Sequence, residues 1–384
     1  MRRFVIVVFS ALVAAAALEA ALSVFFYFHD PSRCDHVWVF EESQRTIHFD
    51  PVLGYRLTRT PSRYARITYG EVEYIGLKLG NNQGFPDRDD FSTERSGNGG
   101  RRFAVFGDSF TAASYIDVNW PDRVEDIQGG GGRATELLNF SSDGAGLANW
   151  WSVLLRHIET RGYKLDGIIF AVFGDDLRRT FTIADHTGPR RHLLARTPEW
   201  DPATYPDTIE EARVHLTALN GFIVSKEEFD LALEGKWCPP RELKLYMTPI
   251  VRSFSIDLWN WPRRRAPAVR RLLGLKAQPV LREPQRRLIQ DIRRYTDEHG
   301  LPVLVVSVPG REQLLQHGAS SGAPADTREF AELLGADLLD GSSAFAGLSG
   351  DEIRAQWLPY DGHWAQPGSD QFAEFMARTL ETWP

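Results

Sequence analysis

The chain has 384 residues, 43% of them hydrophobic and 12% aromatic, enough apolar side chain for one large core or two smaller ones. A formal net charge of −7 gives no electrostatic ground for nucleic-acid binding. The two cysteines have no companion ligands at metal spacing, so no structural zinc site is expected, and no cofactor motif is present.

At the N-terminus, Met1-Arg2-Arg3 precedes an apolar stretch from Phe4 to Phe28. At about 1.5 Å per residue, a helix of that length crosses a hydrocarbon layer of ~30 Å. Arg2 and Arg3 favour a cytoplasmic start, which places the remainder outside the cytoplasm. Glu19 is costly in lipid, but the surrounding Leu, Val, Ile and Phe carry it. A cleaved signal peptide, with Phe4 to Val13 as its apolar core and Ala14 to Ala17 as its small-residue run, is the alternative. The aromatic cluster Phe25 to Phe28 reads as an interfacial belt and favours the anchor, so residues 1–29 are assigned as a transmembrane anchor or signal. In an exported protein Cys34 and Cys238 either pair or stay free.

Residues 30–100 read as a β-rich preface, with strands near Ala65–Thr68 and Glu73–Leu77 and a turn over Asn81–Pro86. Ser96-Gly97-Asn98-Gly99-Gly100 is a linker, a natural boundary before a domain spanning 101–384. From Phe103 onward apolar strands alternate with helical patterns. The strands are Phe103–Phe106, Glu136–Phe140, Gly167–Phe173, Pro302–Val308 and Ala336–Asp340. The helices are Leu147–Thr160, Pro284–His299, Thr327–Leu334 and Pro367–Leu380. This alternation predicts an α/β three-layer sandwich with a central parallel sheet. Gly129 to Gly132 lacks the lysine and serine or threonine of a phosphate loop and reads as a loose turn. Residues 178–283 break the rhythm and form an insertion, whose Arg263–Arg265, Arg270 and Arg271 suit a solvated face. Arg178 and Arg179, at its start, are surface arginines or a place for a substrate anion.

The chemistry sits in Gly107-Asp108-Ser109-Phe110, directly after the apolar run Phe103 to Phe106. A strand ending in a tight turn lifts a serine hydroxyl to the rim of a sheet. That hydroxyl is a weak nucleophile without a base. His363, in Asp361-Gly362-His363, is suitably placed near a C-terminal helix, and Asp361 can orient its ring. Asp108 is a structural residue of the serine turn rather than the acid. Ser109, Gly144 and Asp175 each follow a strand end, where the active groups of a parallel sheet collect.

These residues resemble the motif blocks of the SGNH/GDSL hydrolase superfamily. Block one is matched by Gly107-Asp108-Ser109-Phe110-Thr111 and block two by Asn139-Phe140-Ser141-Ser142-Asp143-Gly144. Block three falls at Phe173-Gly174-Asp175-Asp176-Leu177, and block five at Asp361-Gly362-His363. The preface resembles those of membrane-anchored bacterial SGNH-like proteins. The resemblance implies the flavodoxin-like SGNH fold, a Ser109–His363–Asp361 triad, and an oxyanion hole from Ser109, Gly144 and the block-three residue. In the family that residue is an asparagine, which donates an N–H; an ionised Asp175 only accepts. Asp175 must therefore be protonated, turn elsewhere, or weaken the hole.

The expected protein is a single-pass bacterial inner-membrane esterase or O-acyltransferase without a cofactor. Its catalytic domain lies in the periplasm or extracytoplasmic space and acts on an acylated carbohydrate or other small ester. The alternative is a non-catalytic SGNH-like domain that binds glycan or serves envelope assembly.

Overall fold

The computed structural model describes residues 2–29, 34–41, 46–95, 100–129, 135–186, 191–241, 280–318 and 322–384, with the side chains of 2–8, 11 and 12 outside that set. The linker core 96–99 and the arginines between 263 and 271 also lie outside the described residues. The chain divides into two compact units, 1–35 with 237–279, and 36–236 with 280–384.

In the first unit Arg2–His29 forms one helix, α1. Among the described residues no helix is long and apolar enough to cross a membrane. Cys34 and Cys238 form a disulfide with their Cα atoms 5.0 Å apart, settling the pairing that the sequence left open.

The second unit holds two large sheets. In chain order its strands are β1 Val37–Glu41, β2 Ile47–Asp50, β3 Gly54–Leu57, β4 Ser62–Thr68, β5 Glu71–Lys78, β6 Arg102–Phe106, β7 Glu136–Asn139, β8 Gly167–Phe173, β9 Thr182–Asp185, β10 Arg191–Arg196, β11 Thr217–Val224, β12 Val303–Val308 and β13 Asp337–Asp340. One sheet runs β13-β12-β8-β6-β7, with every neighbouring pair parallel. Counted within the sheet this is a doubly wound order in which the path reverses direction at β6. The crevice beyond the carboxyl ends of β6 and β8 is where such folds hold their active groups.

Alternation along the strands builds the layers. Ala104, Phe106, Ile168, Phe170, Val303 and Val305 pack on one face with Trp150, Leu288, Ile292 and Phe330. Phe103, Val105, Ile169, Ala171, Leu304 and Val306 pack on the other with Trp120, Val124, Phe372, Met376 and Leu380. Helices therefore cover both faces, as near-continuous apolar strands require. The five strands match their sequence-predicted spans to within a residue at either end. The helix expected at Leu147–Thr160 departs from the regular form, since a π-turn at Leu154–Ile158 interrupts it.

The second sheet has the order β5-β4-β1-β11-β10-β9. Its first three strands come from the preface and its last three from the insertion, and β1 pairs with β11 in parallel, Trp38 opposite Gly221. The preface is thus not a free-standing module. Its three strands would expose an unpaired edge along β1, and the insertion covers that edge.

Candidate active site

The turn after β6 is set by close packing. A Cβ on Gly107 would lie 2.2 Å from Thr111 Oγ1, so only glycine fits. Helix α2, Ser109–Ala112, starts here. Asp108 Oδ1 accepts from the Phe110 amide at 2.9 Å and caps the first turn, which fixes where Ser109 points.

The second half arrives from 254 residues downstream: Ser109 Oγ lies 2.6 Å from His363 Nε2. His363 Nδ1 faces Asp361 Oδ1 in a short hydrogen bond, and the His363 amide donates to the same oxygen at 3.2 Å. A carboxylate only accepts, so the ring proton sits on Nδ1 and Nε2 is left to accept from Ser109. Burial works against charge on His363, but its hydrogen bond to Asp361 and the charges of Asp361, Asp108 and Asp143 outweigh it and raise its pKa above 6.5. Burial likewise opposes charge on Asp361. There the hydrogen bond and charge of His363, with Arg66 behind them, hold the pKa below the ordinary value.

The loop carrying the acid is pinned from the preface. Glu73 Oε1, on β5, accepts from the Tyr360 and Asp361 amides at 2.7 and 2.6 Å. Beneath the loop, Trp364 is fully buried and edge-on to Phe110, with ring centres 5.0 Å apart.

Gly144 follows β7 with φ +73, the left-handed region that glycine adopts without strain. Thr182 Oγ1 donates to its carbonyl at 2.9 Å. Among the described residues, neither the Ser109 amide nor the Gly144 amide has an acceptor, leaving two N–H donors free. Both residues line a cavity of about 190 Å³ together with Asp361 and His363.

Asp175 is placed differently. It is not among the described residues lining that cavity, and its side chain is 56% exposed. Arg179 Nη2 binds its carboxylate at 2.7 Å, and Arg196 stands 3.8 Å away. Of the three ways out of the missing amide, the structure shows a side chain turned outward. Asp175→Asn is accordingly expected to leave ester turnover within about threefold and to cost less than about 1 kcal/mol, since it alters a largely solvated ion pair. Paired turnover and melting measurements check this; a large gain in rate would return the side chain to the oxyanion hole.

Arg179 itself is not available to a substrate. It is nearly buried, with Nη1 3.0 Å from Asp108 Oδ2 and 2.6 Å from Asp176 Oδ1, and it donates to the Ala145 carbonyl at 3.0 Å. Arg178 pairs with Asp326 at 2.8 Å.

Sequence reasoning missed most of the cavity wall. Trp38, Phe40, Tyr55, Tyr64, Tyr74 and Lys78 come from the preface, while Ala184, His192, Leu194 and Leu219 come from the insertion. Lys78 is buried, in contact with Asp143 and 2.6 Å from Ser114 Oγ. Tyr115 stacks obliquely beside His363 with ring centres 4.8 Å apart, and its buried hydroxyl has no partner among the described residues. Burial drives the pKa of His192 down to about 4, so it meets His186 as a neutral hydrogen-bonding ring. The only sequence signal for this wall was the density of aromatics in residues 38–74.

No family model and no curated protein matches the chain. Among solved structures it is similar to the lipase/acylhydrolase from Enterococcus faecalis, at 11% identity over 73% of this chain and 95% of that one, TM-score 0.34. It is also similar to AlinE4, an SGNH-hydrolase family esterase, at 13% identity over 75% and 100% of the two chains, TM-score 0.30. A third likeness is LAE5, an alpha/beta hydrolase enzyme from the metagenome of Lake Arreo, Spain, at 13% identity over 76% and 99%, TM-score 0.36.

Proposed function

We propose that this chain is a serine acyl-ester hydrolase or O-acyltransferase of the SGNH kind, exported and held at the membrane by residues 1–29, acting on an acylated envelope or extracellular carbohydrate. The observation that carries the chemistry is the unbroken relay from Ser109 Oγ through His363 to Asp361 on the wall of a cavity.

In the first half-reaction Ser109 Oγ attacks the ester carbonyl while His363 Nε2 takes its proton. Negative charge then grows on the carbonyl oxygen, within reach of the unclaimed Ser109 and Gly144 amides. Collapse expels the alcohol, which receives the proton from His363, and leaves an acyl-serine. In the second half, His363 deprotonates the acceptor, which attacks the acyl carbon and frees Ser109. Water as acceptor gives hydrolysis; a sugar hydroxyl gives transfer. Asp361 keeps the imidazole in the productive tautomer and stabilises its cation.

The carbohydrate reading draws support from the cavity wall. Trp38 and Tyr74 line it with aromatic surface, and the Lys78–Asp143 ion pair gives it a polar end. The anchor reading rests on the apolar stretch Phe4–Phe28 after two arginines.

The test is covalent. A serine-directed fluorophosphonate is expected to label the full chain in detergent once per molecule, and Ser109→Ala to abolish that labelling. Equal labelling of both proteins removes Ser109 from the mechanism. Failure of both to label, with retained glycan binding, moves the protein to the non-catalytic alternative.

A further inference from the structure

A second cavity, about 590 Å³ in volume, backs onto the hairpin β2–β3. The hairpin contributes side chains to both cavities. Ile47 and Tyr55 line the catalytic one, while His48 and Arg56, paired across the strands, line the other. Four arginines line this second cavity: Arg56 and Arg59 from the hairpin side, Arg156 and Arg161 from the helix that follows β7. Asp50 is the acid among the described lining residues, and its Oδ1 is already claimed by the Val52 and Leu53 amides at 2.9 Å each.

The cations differ in how they are held. Arg59 pairs with Asp90 at 2.8 Å, and Arg156 donates to the Pro51 carbonyl at 3.2 Å and stands 3.8 Å from Asp207. Arg56 and Arg161 have no ion pair or side-chain hydrogen bond among the described residues. His157 adds no charge. Burial, with the charge of Arg161, lowers its pKa to about 4, and the neutral ring bonds Gln83 Oε1 at 2.8 Å. The wall that carries Arg156 and His157 is the π-turn Leu154–Ile158. Single π-turns within α-helices are frequent at functional sites.

We propose that this cavity is a separate binding site for an anionic saccharide, one whose carboxylate or phosphate groups are held by the guanidinium forks. Planar guanidinium groups match both anions in a two-point geometry. Like charges gathered in a concave, partly desolvated space raise the local potential, so an anion entering it lowers the energy. The volume exceeds that of a simple ion, and the Thr58 and Thr160 hydroxyl oxygens, whose protons go to the Thr60 and Arg156 carbonyls, keep lone pairs that accept from sugar hydroxyls. That the ligand is a saccharide rests on the proposed function; that it is an anion does not.

The experiment measures binding to the full chain in detergent, using Ser109→Ala so that nothing turns over. Polygalacturonate tests the carboxylate, poly(glycerol phosphate) the phosphate, and dextran is the neutral control. Polygalacturonate or poly(glycerol phosphate) is expected to bind, more weakly as salt rises, with the better of the two naming the acid group. Adding Arg56→Ala and Arg161→Ala, which break no ion pair among the described residues, is expected to weaken that binding roughly tenfold or more, the loss expected for charge-assisted bonds. Placed in the chain with Ser109 intact, the same two substitutions should leave hydrolysis of a small aryl acetate and the melting temperature unchanged. Unaltered affinity in the double variant, equal binding of dextran, or no binding of either polyanion overturns the site. Loss of ester hydrolysis in all forms with polyanion binding intact would sink the catalytic reading and leave this one standing.

Discussion

Asp361→Asn is expected to lower kcat by about 10⁴-fold with the fold intact, the size of loss seen when the acid of a serine triad becomes an amide. An asparagine in that place offers its N–H as readily as its oxygen, so it no longer forces the ring proton onto Nδ1. His363 Nε2 then carries the proton and faces Ser109 as a donor. The pH profile separates this effect from simple damage. The rate should rise with pH as His363 loses its proton, and in the native chain that limb lies above pH 6.5 because Asp361 raises the histidine. Without the carboxylate the cation loses its main support, so the limb should move to lower pH. A loss below tenfold, or a limb that stays in place, would remove Asp361 from the relay.

Arg179→Ala is expected to be the most damaging single change to stability outside the apolar core. Its guanidinium lies between the buried carboxyl groups of Asp108 and Asp176. Burial, with the Asp108 charge, already pushes the pKa of Asp176 far up, and Arg179 is the cation that opposes this. Removing it strands acidic groups in a low-dielectric space, at a cost of about 3–5 kcal/mol. For a chain of this size that corresponds to a fall in Tm of roughly 4–6 °C. Because Asp108 also caps the helix that begins at Ser109, activity should fall beyond what the melting curve explains. Thermal melting and turnover below the transition check both halves; a Tm within about 2 °C of the native chain contradicts the burial reasoning. Arg179→Lys should recover only part of the loss, since an ammonium lacks the fork that reaches several oxygens at once.

Arg179 also marks where the sequence stops being readable. As text it is an arginine after an acidic pair, and such residues usually face solvent. Its partner Asp108 stands 71 positions earlier, and only folding reveals that one cation holds the nucleophile turn to the loop after β8. Asp175 errs in the opposite direction. The motif assigned it to the oxyanion hole, yet its carboxylate turns outward, where the guanidinium groups of Arg179 and Arg196 attract it. Glu73 carried no signal at all. Its role comes from accepting two amides of a loop 287 and 288 residues away.

By itself the sequence determined the parallel sheet, its strand spans, the glycine-tight serine turn and the pairing of Asp361 with its neighbour His363. Each of these is written locally, in apolar alternation, in a residue too crowded for a Cβ, or in two residues separated by a single glycine. Only the tertiary structure decided that preface and insertion share one sheet, that this sheet walls the catalytic cavity, and that the hairpin β2–β3 has an arginine-rich cavity behind it. Strand edges and cavity walls are chosen among many distant segments of similar composition. The choice follows from which edges remain unpaired once the core has formed, and no short stretch of residues encodes it.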